Sequence, residues 1–458
     1  MVIATSFAYY VVPGYLFPSI GCLSILCWLW KRNIFMQQMG SGLHGLGIGA
    51  FSFDWNAVIS FLGSPLSTPS HAIINTMAGF FLVAYLIVPA AYYSNVYEAK
   101  RFPFISSSTF DHTGHMYNVS RVMDKNTFSL DIKSYNSYGK LYLSIFFALT
   151  YGLSFATLSA TISHVALFHG KSIWHLWSQT TSGKSGEFSD TPGLNVITEL
   201  IIGYIYPGRP LANVAFKTYG YISMTQALWL LQDFKLGHYM KIPPRSMFIV
   251  QLVGTIVASL VYFGTTWWLL STVDNICNVS LLPDGSPWTC PDEEVFYNAS
   301  IIWGVIGPAK MFTSRGNYPQ LNWLFLIGFL LPVPGWFLSR KYPHLKFFKL
   351  INIPVIVSAT MMMPPARSIN YLTWGVVGFF FNYYVYKSYK GWWARYNYIL
   401  SAGLEAGIAF MGILLYFCLQ TKDIFGVQWW GLEQDDYCPL AKCPTAPGVR
   451  VEGCPVLG

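Results

Sequence analysis

Charge is what this sequence has least of. Asp, Glu, Lys and Arg together make up 10% of its 458 residues, against about 25% in an ordinary globular chain. A water-facing surface cannot be built from so few ionic groups, which excludes a soluble cytosolic enzyme. Eight cysteines in 458 residues are too sparse for a disulfide-dense secreted module. Catalytic signatures are missing too: there is no G-x-S-x-G, no H-E-x-x-H and no P-loop of the form GxxxxGK[ST]. No catalytic residue, metal site or cofactor is therefore expected, and any energy source must be a gradient or another subunit. What is present is apolar: 53% hydrophobic and 18% aromatic residues, with a mean hydropathy of +0.41. This composition predicts an all-α polytopic integral membrane protein with the lipid bilayer as its main partner. The net charge of +8 then reads as loops facing an anionic leaflet, not as a nucleic-acid surface.

A helix needs about 20 mostly apolar residues to cross the hydrocarbon core. Stretches 9–30, 71–93, 141–168 and 247–270 qualify, as do 321–338, 347–363, 371–386 and 398–419 towards the C-terminus. Three further segments are apolar but broken by Gly and Pro: 40–68, 192–231 and 301–312. Together these predict about ten transmembrane helices with re-entrant or broken segments. Irregular backbone at membrane depth is tolerated where it is buried in protein or lines a wet cavity, and in transporters it often marks the binding site. Close helix packing through glycine is the alternative reading.

The few ionisable residues inside apolar segments are the candidates for function, because an ionised group there persists mainly beside a partner or a water path. Glu199, in NVITELIIGYIYPG, is the first choice as a proton-coupling acid, with a static pair to Lys217 as its bland counterpart. Asp54 and Asn56, in FDWN, are candidates for proton coupling or substrate contact. Glu405 sits among small residues in SAGLEAGIAF, where a cross-helix hydrogen bond competes with a coupling role. Lys217 and Lys310 could hold a substrate carboxylate or snorkel to an interface. His44, His71 and His164 read as polar core residues.

Lys and Arg set orientation. Residues 340–349 hold four bases and no acid and 387–395 hold three and no acid, so both should be cytosolic, and Lys31, Arg32, Lys171, Lys184 and the stretch 235–245 are placed with them. Residues 271–299 carry five acids and no Lys or Arg and should lie outside. The parity of spans then requires 301–312 to enter and leave on one side, and puts the tail 421–458 outside. Five cysteines, Cys277, Cys290, Cys438, Cys443 and Cys454, fall on that oxidising side and are disulfide candidates. Cys22, Cys27 and Cys418 read as apolar filler. The sequons at Asn118, Asn278 and Asn298 fall outside and are glycosylation candidates.

Three long motifs narrow the class: HYMKIPPRSMF at 238–248, PGLNVITELIIGYIYPGRPLANVAFKTYGYIS and SGLHGLGIGAFSFDWNAVISFLGSPL. With them, the chain resembles an oligopeptide transporter of the plant and fungal peptide-transporting clade. Its tail, QWWGLEQDDYCPLAKCPTAPGVRVEGCPV, is similar to the plant members. The likeness runs through the whole chain and implies one membrane domain over 1–458, with an extracellular loop 271–299 and an extracellular Cys-containing tail 421–458. It implies a proton-coupled importer of tetra- and pentapeptides in the plasma membrane; relatives carrying glutathione, iron or copper chelates supply the alternative. Two departures stand out. Met1 lies just before SFAYYVVPGYLFP, where members carry about five earlier spans, and two spans usual before PGLNVITEL are replaced by the polar stretch 182–191. The resemblance therefore implies a partial domain, and a non-transporting fragment that associates with full-length relatives is the remaining expectation.

Overall fold

A computed structural model describes residues 2–17, 24–124, 127–178, 194–239, 241–277, 281–282, 288, 290–345, 347–422, 424, 426–427 and 438–456. Cys22, Lys184, Asn278 and the polar stretch 182–191 lie outside the described residues. The chain forms two compact units, one of Met1–Val122, Asp131–Gly193 and Ala309–Gly458, the other of Met123–Leu130 and Leu194–Pro308. Among the described residues both are helical, with two-residue strands in two small antiparallel pairs. Among the described residues, five helices are long and apolar enough to cross a membrane: Ser70–Tyr93, Ile145–Trp174, Pro244–Thr272, Pro319–Lys341 and Lys390–Lys422.

In the first unit the core is built around Ile145–Trp174, the most deeply buried of the five. Its hydroxyls bond one turn back: Thr150 to the Phe146 carbonyl, Ser154 to Thr150, Thr157 to Leu153 and Thr161 to Thr157. A helix rich in Ser and Thr can thus be buried without orphaned polar groups. Trp323–Leu330 packs against it so closely that a methyl group added at Gly328 would overlap the Ala156 carbonyl, and Phe155 stacks on Phe325 at 4.6 Å. Phe80 stacks on Tyr371 at 4.8 Å, joining the Ser70–Tyr93 span to the helix Ser368–Phe379 in a cluster that includes Val83, Val88, Tyr92 and Phe146.

The stretch 347–363, expected as one span, is instead two short helices, Phe347–Leu350 and Ile353–Ser358, followed by turns. Asn352 caps the second, accepting from the Val355 N–H, and Pro354 opens it. Asn75 stitches the break by donating to the Leu350 carbonyl at 2.8 Å and accepting from the Asn352 N–H at 3.1 Å.

Residues 41–68 cross the unit as irregular backbone around the short helix Trp55–Ile59. Their main-chain groups are answered by side chains of two neighbouring helices. Ser368 donates to the Gly45 carbonyl, Asn370 to Ala57, Trp374 to Gly63, Asn382 to Pro65 and Thr68, and Asn397 to Leu66. Thr373 accepts from the Ser52 N–H at 3.1 Å. This is how non-helical backbone is tolerated at membrane depth: protein replaces the missing helical hydrogen bonds.

Two expectations about the amino-terminal stretch are corrected. The expected span 9–30 stops early, because the described helix ends at Leu16 and Cys27 lies beyond it on Ile25–Leu29. Cys27 is not apolar filler; it is fully buried in a disulfide with Cys438. The same region is sewn to the tail by Gln37, which accepts from the Leu440 N–H at 2.7 Å, and by Gln38, which donates to the Cys443 carbonyl at 3.2 Å. Lys31 and Arg32 therefore share a side with the tail, and cannot be inside while the tail is outside. Helix direction gives the same answer. Val11 packs with Met411 and Leu415, and the Val427 N–H donates to Leu16, so this helix runs parallel to Lys390–Cys418. Two charges next to a break are outvoted by covalent and packing constraints, since the charge bias is only a sum over short loops.

In the second unit, Leu194–Ile205 and Pro210–Lys217 are joined by a turn in which Gly208 takes φ +74°. The latter helix continues through a π turn into Ser223–Tyr239. The KIPPR motif makes the connection to the next span: the Lys241 N–H bonds to the His238 carbonyl and Ile242 to Gly237, and Pro244 starts Pro244–Thr272, where its missing N–H costs nothing. Cys277 and Cys290 are disulfide-bonded. Pro291–Ser300 runs into Ile301–Ile306 and stops at Gly307, φ +84°.

Candidate functional site

The sequence candidates fall into two groups, one in each unit. In the second unit, the Gly208 turn folds Leu194–Ile205 back along Pro210–Lys217. Glu199 and Lys217, both inside apolar helices, thereby meet. The Lys217 Nζ lies 2.7 Å from Glu199 Oε1, with side-chain exposures of 9% and 3%. Asn213, one turn before Lys217, donates to the Glu199 carbonyl at 3.1 Å and to the Trp303 carbonyl at 3.3 Å. The ring of Phe296 faces the ammonium at 4.4 Å. The pair is thus one cation and one carboxylate in a buried setting, with an aromatic face and an amide fixing the backbones around them. Removing either charge alone leaves the other buried and unpaired, which typically costs about 3–5 kcal/mol.

In the first unit, Asp54 is the N-cap of Trp55–Ile59 and accepts from the Asn56 N–H at 3.0 Å. Its carboxylate lies so near Gly14 that an added Cβ would be 3.1 Å from Oδ2. Asn56 contributes its backbone, and its side chain is exposed. Trp55 between them is buried, and its Nε1 lacks a hydrogen-bond partner. Glu405 is exposed and accepts from Ser401, one turn earlier on the same helix, at 3.1 Å; Ser401 in turn lies 2.6 Å from the Ser64 hydroxyl on the irregular backbone of 41–68. Lys310 sits 5.0 Å from the Tyr135 ring, and His164 stacks on Phe168 at 4.4 Å. Among the described residues no group of three or more His, Cys, Asp or Glu could hold a metal ion.

Reasoning from the sequence missed Asn213 and the row Ser368, Asn370, Thr373, Asn382 and Asn397. The available signal was the presence of asparagines within the apolar runs SINYLT and FFNYY, which a search confined to ionisable residues passes over. On the cysteine side, Cys443 pairs with Cys454, Cys418 is free and exposed, and the five candidates are completed by Cys27. Of the sequons, Asn118 is exposed on the 94–140 loop, whereas Asn298 is buried within Pro291–Ser300.

Comparison with known proteins places these features in a family. A profile described as OPT oligopeptide transporter protein matches residues 1–191 and 181–419. The chain is 52% identical to Oligopeptide transporter 1 of Arabidopsis thaliana, over all of this chain and 70% of that protein. It is 54% identical to Oligopeptide transporter 5 of the same plant, over 99% of this chain and 69% of that protein, and 46% identical to Oligopeptide transporter 2 over 99% and 70%. The first of these alignments runs over 527 positions, more than the 458 residues of the chain, so it opens gaps opposite the relative. No solved structure matches. A profile that covers most of the chain, relatives at about half identity along its whole length, and a helical multi-span architecture with broken crossings lead to one conclusion: this protein belongs to the oligopeptide transporter family of polytopic membrane proteins.

Proposed function

We propose that the protein is a proton-coupled carrier of small oligopeptides, of tetra- and pentapeptide length, in the plasma membrane, and that the Glu199–Lys217 pair is its coupling element. The observation that carries this reading is the buried pair itself, inside a chain whose relatives are named oligopeptide transporters. A proton on Glu199 frees Lys217, and the freed ammonium is then the natural partner of a peptide's terminal carboxylate. Loss of the proton restores the pair and expels the peptide. Asp54, presented at a helix start in the broken crossing 41–68, is the second acid to test, with Asn56 beside it; Glu405 comes third. The loop 271–299 and the tail 421–458 face outwards in this reading, with Asn118 as the glycan acceptor.

The test is uptake of labelled tetrapeptide into proteoliposomes with and without an inward proton gradient. Gradient-driven uptake should be present in the unaltered protein and absent in Glu199→Gln. Competition by glutathione or a metal chelate in preference to tetrapeptide would instead assign the substrate to the other branch of the family. Absence of any uptake in the unaltered protein would favour the non-transporting reading, which the alignment gaps support.

A further inference from the structure

From the groove between the Ser70–Tyr93 span and the helix Ser368–Phe379 with its continuation Phe380–Val385, we infer a binding site for one anionic glycerophospholipid, with an acyl chain in the groove and its phosphate at Lys387 and Lys390. The cavity measures about 600 Å³ and is lined by Met77, Phe81, Val376, Phe379, Phe380 and Tyr384. Apart from the Tyr384 hydroxyl these side chains are apolar, and all of the aromatic ones, with Val376, are exposed. The groove has a fixed floor. At Gly375 the two helices approach so closely that a Cβ would fall 2.5 Å from the Met77 sulfur, so the depression is a product of backbone packing. A site of this size and lining suits a hydrocarbon chain, held there by van der Waals packing, since the chain is already in an apolar solvent.

Charge selects the headgroup. Asn382 donates to the Thr68 carbonyl at 3.0 Å, which ties the start of the Ser70–Tyr93 span to the Tyr384 end of the groove. That end is the basic one. Lys387 follows three residues after Tyr384, its Nζ 5.9 Å from the Tyr383 ring, and Lys390 comes next, 5.7 Å from the Tyr386 ring. Both lysines are exposed, and neither 69–93 nor 368–395 contains an acid. Two ammonium groups collared by tyrosines at the mouth of an apolar groove complement a phosphodiester, and the side on which 387–395 is expected is the anionic leaflet. This site is independent of the Glu199–Lys217 pair.

The experiment uses the full chain in nanodiscs of phosphatidylcholine doped with phosphatidylglycerol, released gently into native mass spectrometry so that retained lipids are counted. Phosphatidylglycerol should be retained over phosphatidylcholine by about tenfold or more, since each basic residue near the surface is worth about 1 kcal/mol. Lys387→Gln with Lys390→Gln should abolish that preference at unchanged helicity, and Val376→Trp, which fills the groove, should remove retention of both lipids. Equal retention of the two lipids by the unaltered protein, or a preference that survives the double lysine change, would overturn the assignment. If Val376→Trp fails to fold, the lysine pair still decides the question.

Discussion

At the residue scale the decisive feature is a cation and an anion that share one buried site. The fates of the single and double variants separate structure from coupling. Glu199→Gln leaves Lys217 buried with its charge partner removed, so a drop in thermal stability is expected alongside lost uptake. Glu199→Gln with Lys217→Met replaces both charges and should recover most of the lost stability while uptake stays absent; thermal unfolding in detergent and the uptake assay read the two effects separately. Recovery of gradient-driven uptake in the double variant would remove the pair from the coupling step. A second residue-scale prediction concerns Asp111 in the 94–140 loop. Burial acts to raise its carboxyl, but hydrogen bonds from the Thr113 hydroxyl and N–H and from the His115 N–H, with His112 nearby, outweigh that and hold it below the ordinary carboxylate value. A depressed folded-state pKa stabilises the loop above the unfolded value, near pH 4, and this stabilisation is lost as pH falls through the folded-state value. Hydrogen exchange at 111–117 should therefore quicken below about pH 4 beyond the intrinsic trend, and Asp111→Asn should remove that step.

The Glu199–Lys217 pair was legible because two opposite charges lie in one broken apolar segment on either side of a Pro-Gly turn. Asp54 was legible as an unusual acid, yet its role as the cap of Trp55–Ile59 depends on where the helix starts, which composition does not fix. Cys27 was illegible for a related reason. It sits in an unbroken apolar run, and only the end of the helix at Leu16 takes it out of the crossing and brings it to Cys438.

At the scale of elements, the broken crossing 41–68 is held by side chains that replace its helical hydrogen bonds. Asn382 answers the carbonyls of Pro65 and Thr68 and accepts from the Trp393 indole at 3.2 Å. Asn382→Leu orphans all three, and at about 1–3 kcal/mol for each unsatisfied buried group the unfolding temperature should fall clearly, as read by fluorescence-detected gel filtration after heating. An unchanged melting temperature would mean that water already serves those carbonyls. The break at 40–68 could be read from Gly and Pro alone, and so could the turn at 206–209. The interruption of 347–363 was hidden, because its residues are as apolar as those of a continuous span, and the capping Asn352 acts only together with Asn75 from another helix.

For the whole molecule, the tail is a strap across the ends of several crossings. Besides the Cys27–Cys438 bond, the Thr445 and Ala446 N–H groups donate to the Lys100 carbonyl at 2.8 Å, and Thr445 donates to the Tyr92 hydroxyl at 2.9 Å. Cys27→Ser should release the tail to added protease while the spans stay resistant, and no change in cleavage would show that the noncovalent ties suffice. The strap also places Lys31, Arg32 and the 94–114 region on one side with the tail. With that side outward, as proposed above, Asn118→Gln should remove a glycan-dependent gel shift that Asn298→Gln leaves intact. The fold class was legible from composition alone, since so little charge permits nothing but a membrane interior. The side of each loop was only partly legible, because charge bias speaks weakly where disulfides and packing decide. In the proposed mechanism the buried pair acts as a proton-gated lock, and the most direct test is tetrapeptide uptake into proteoliposomes under an imposed proton gradient. Uptake that follows the gradient in the unaltered protein and vanishes in Glu199→Gln is the predicted result; equal uptake by the two proteins would contradict it.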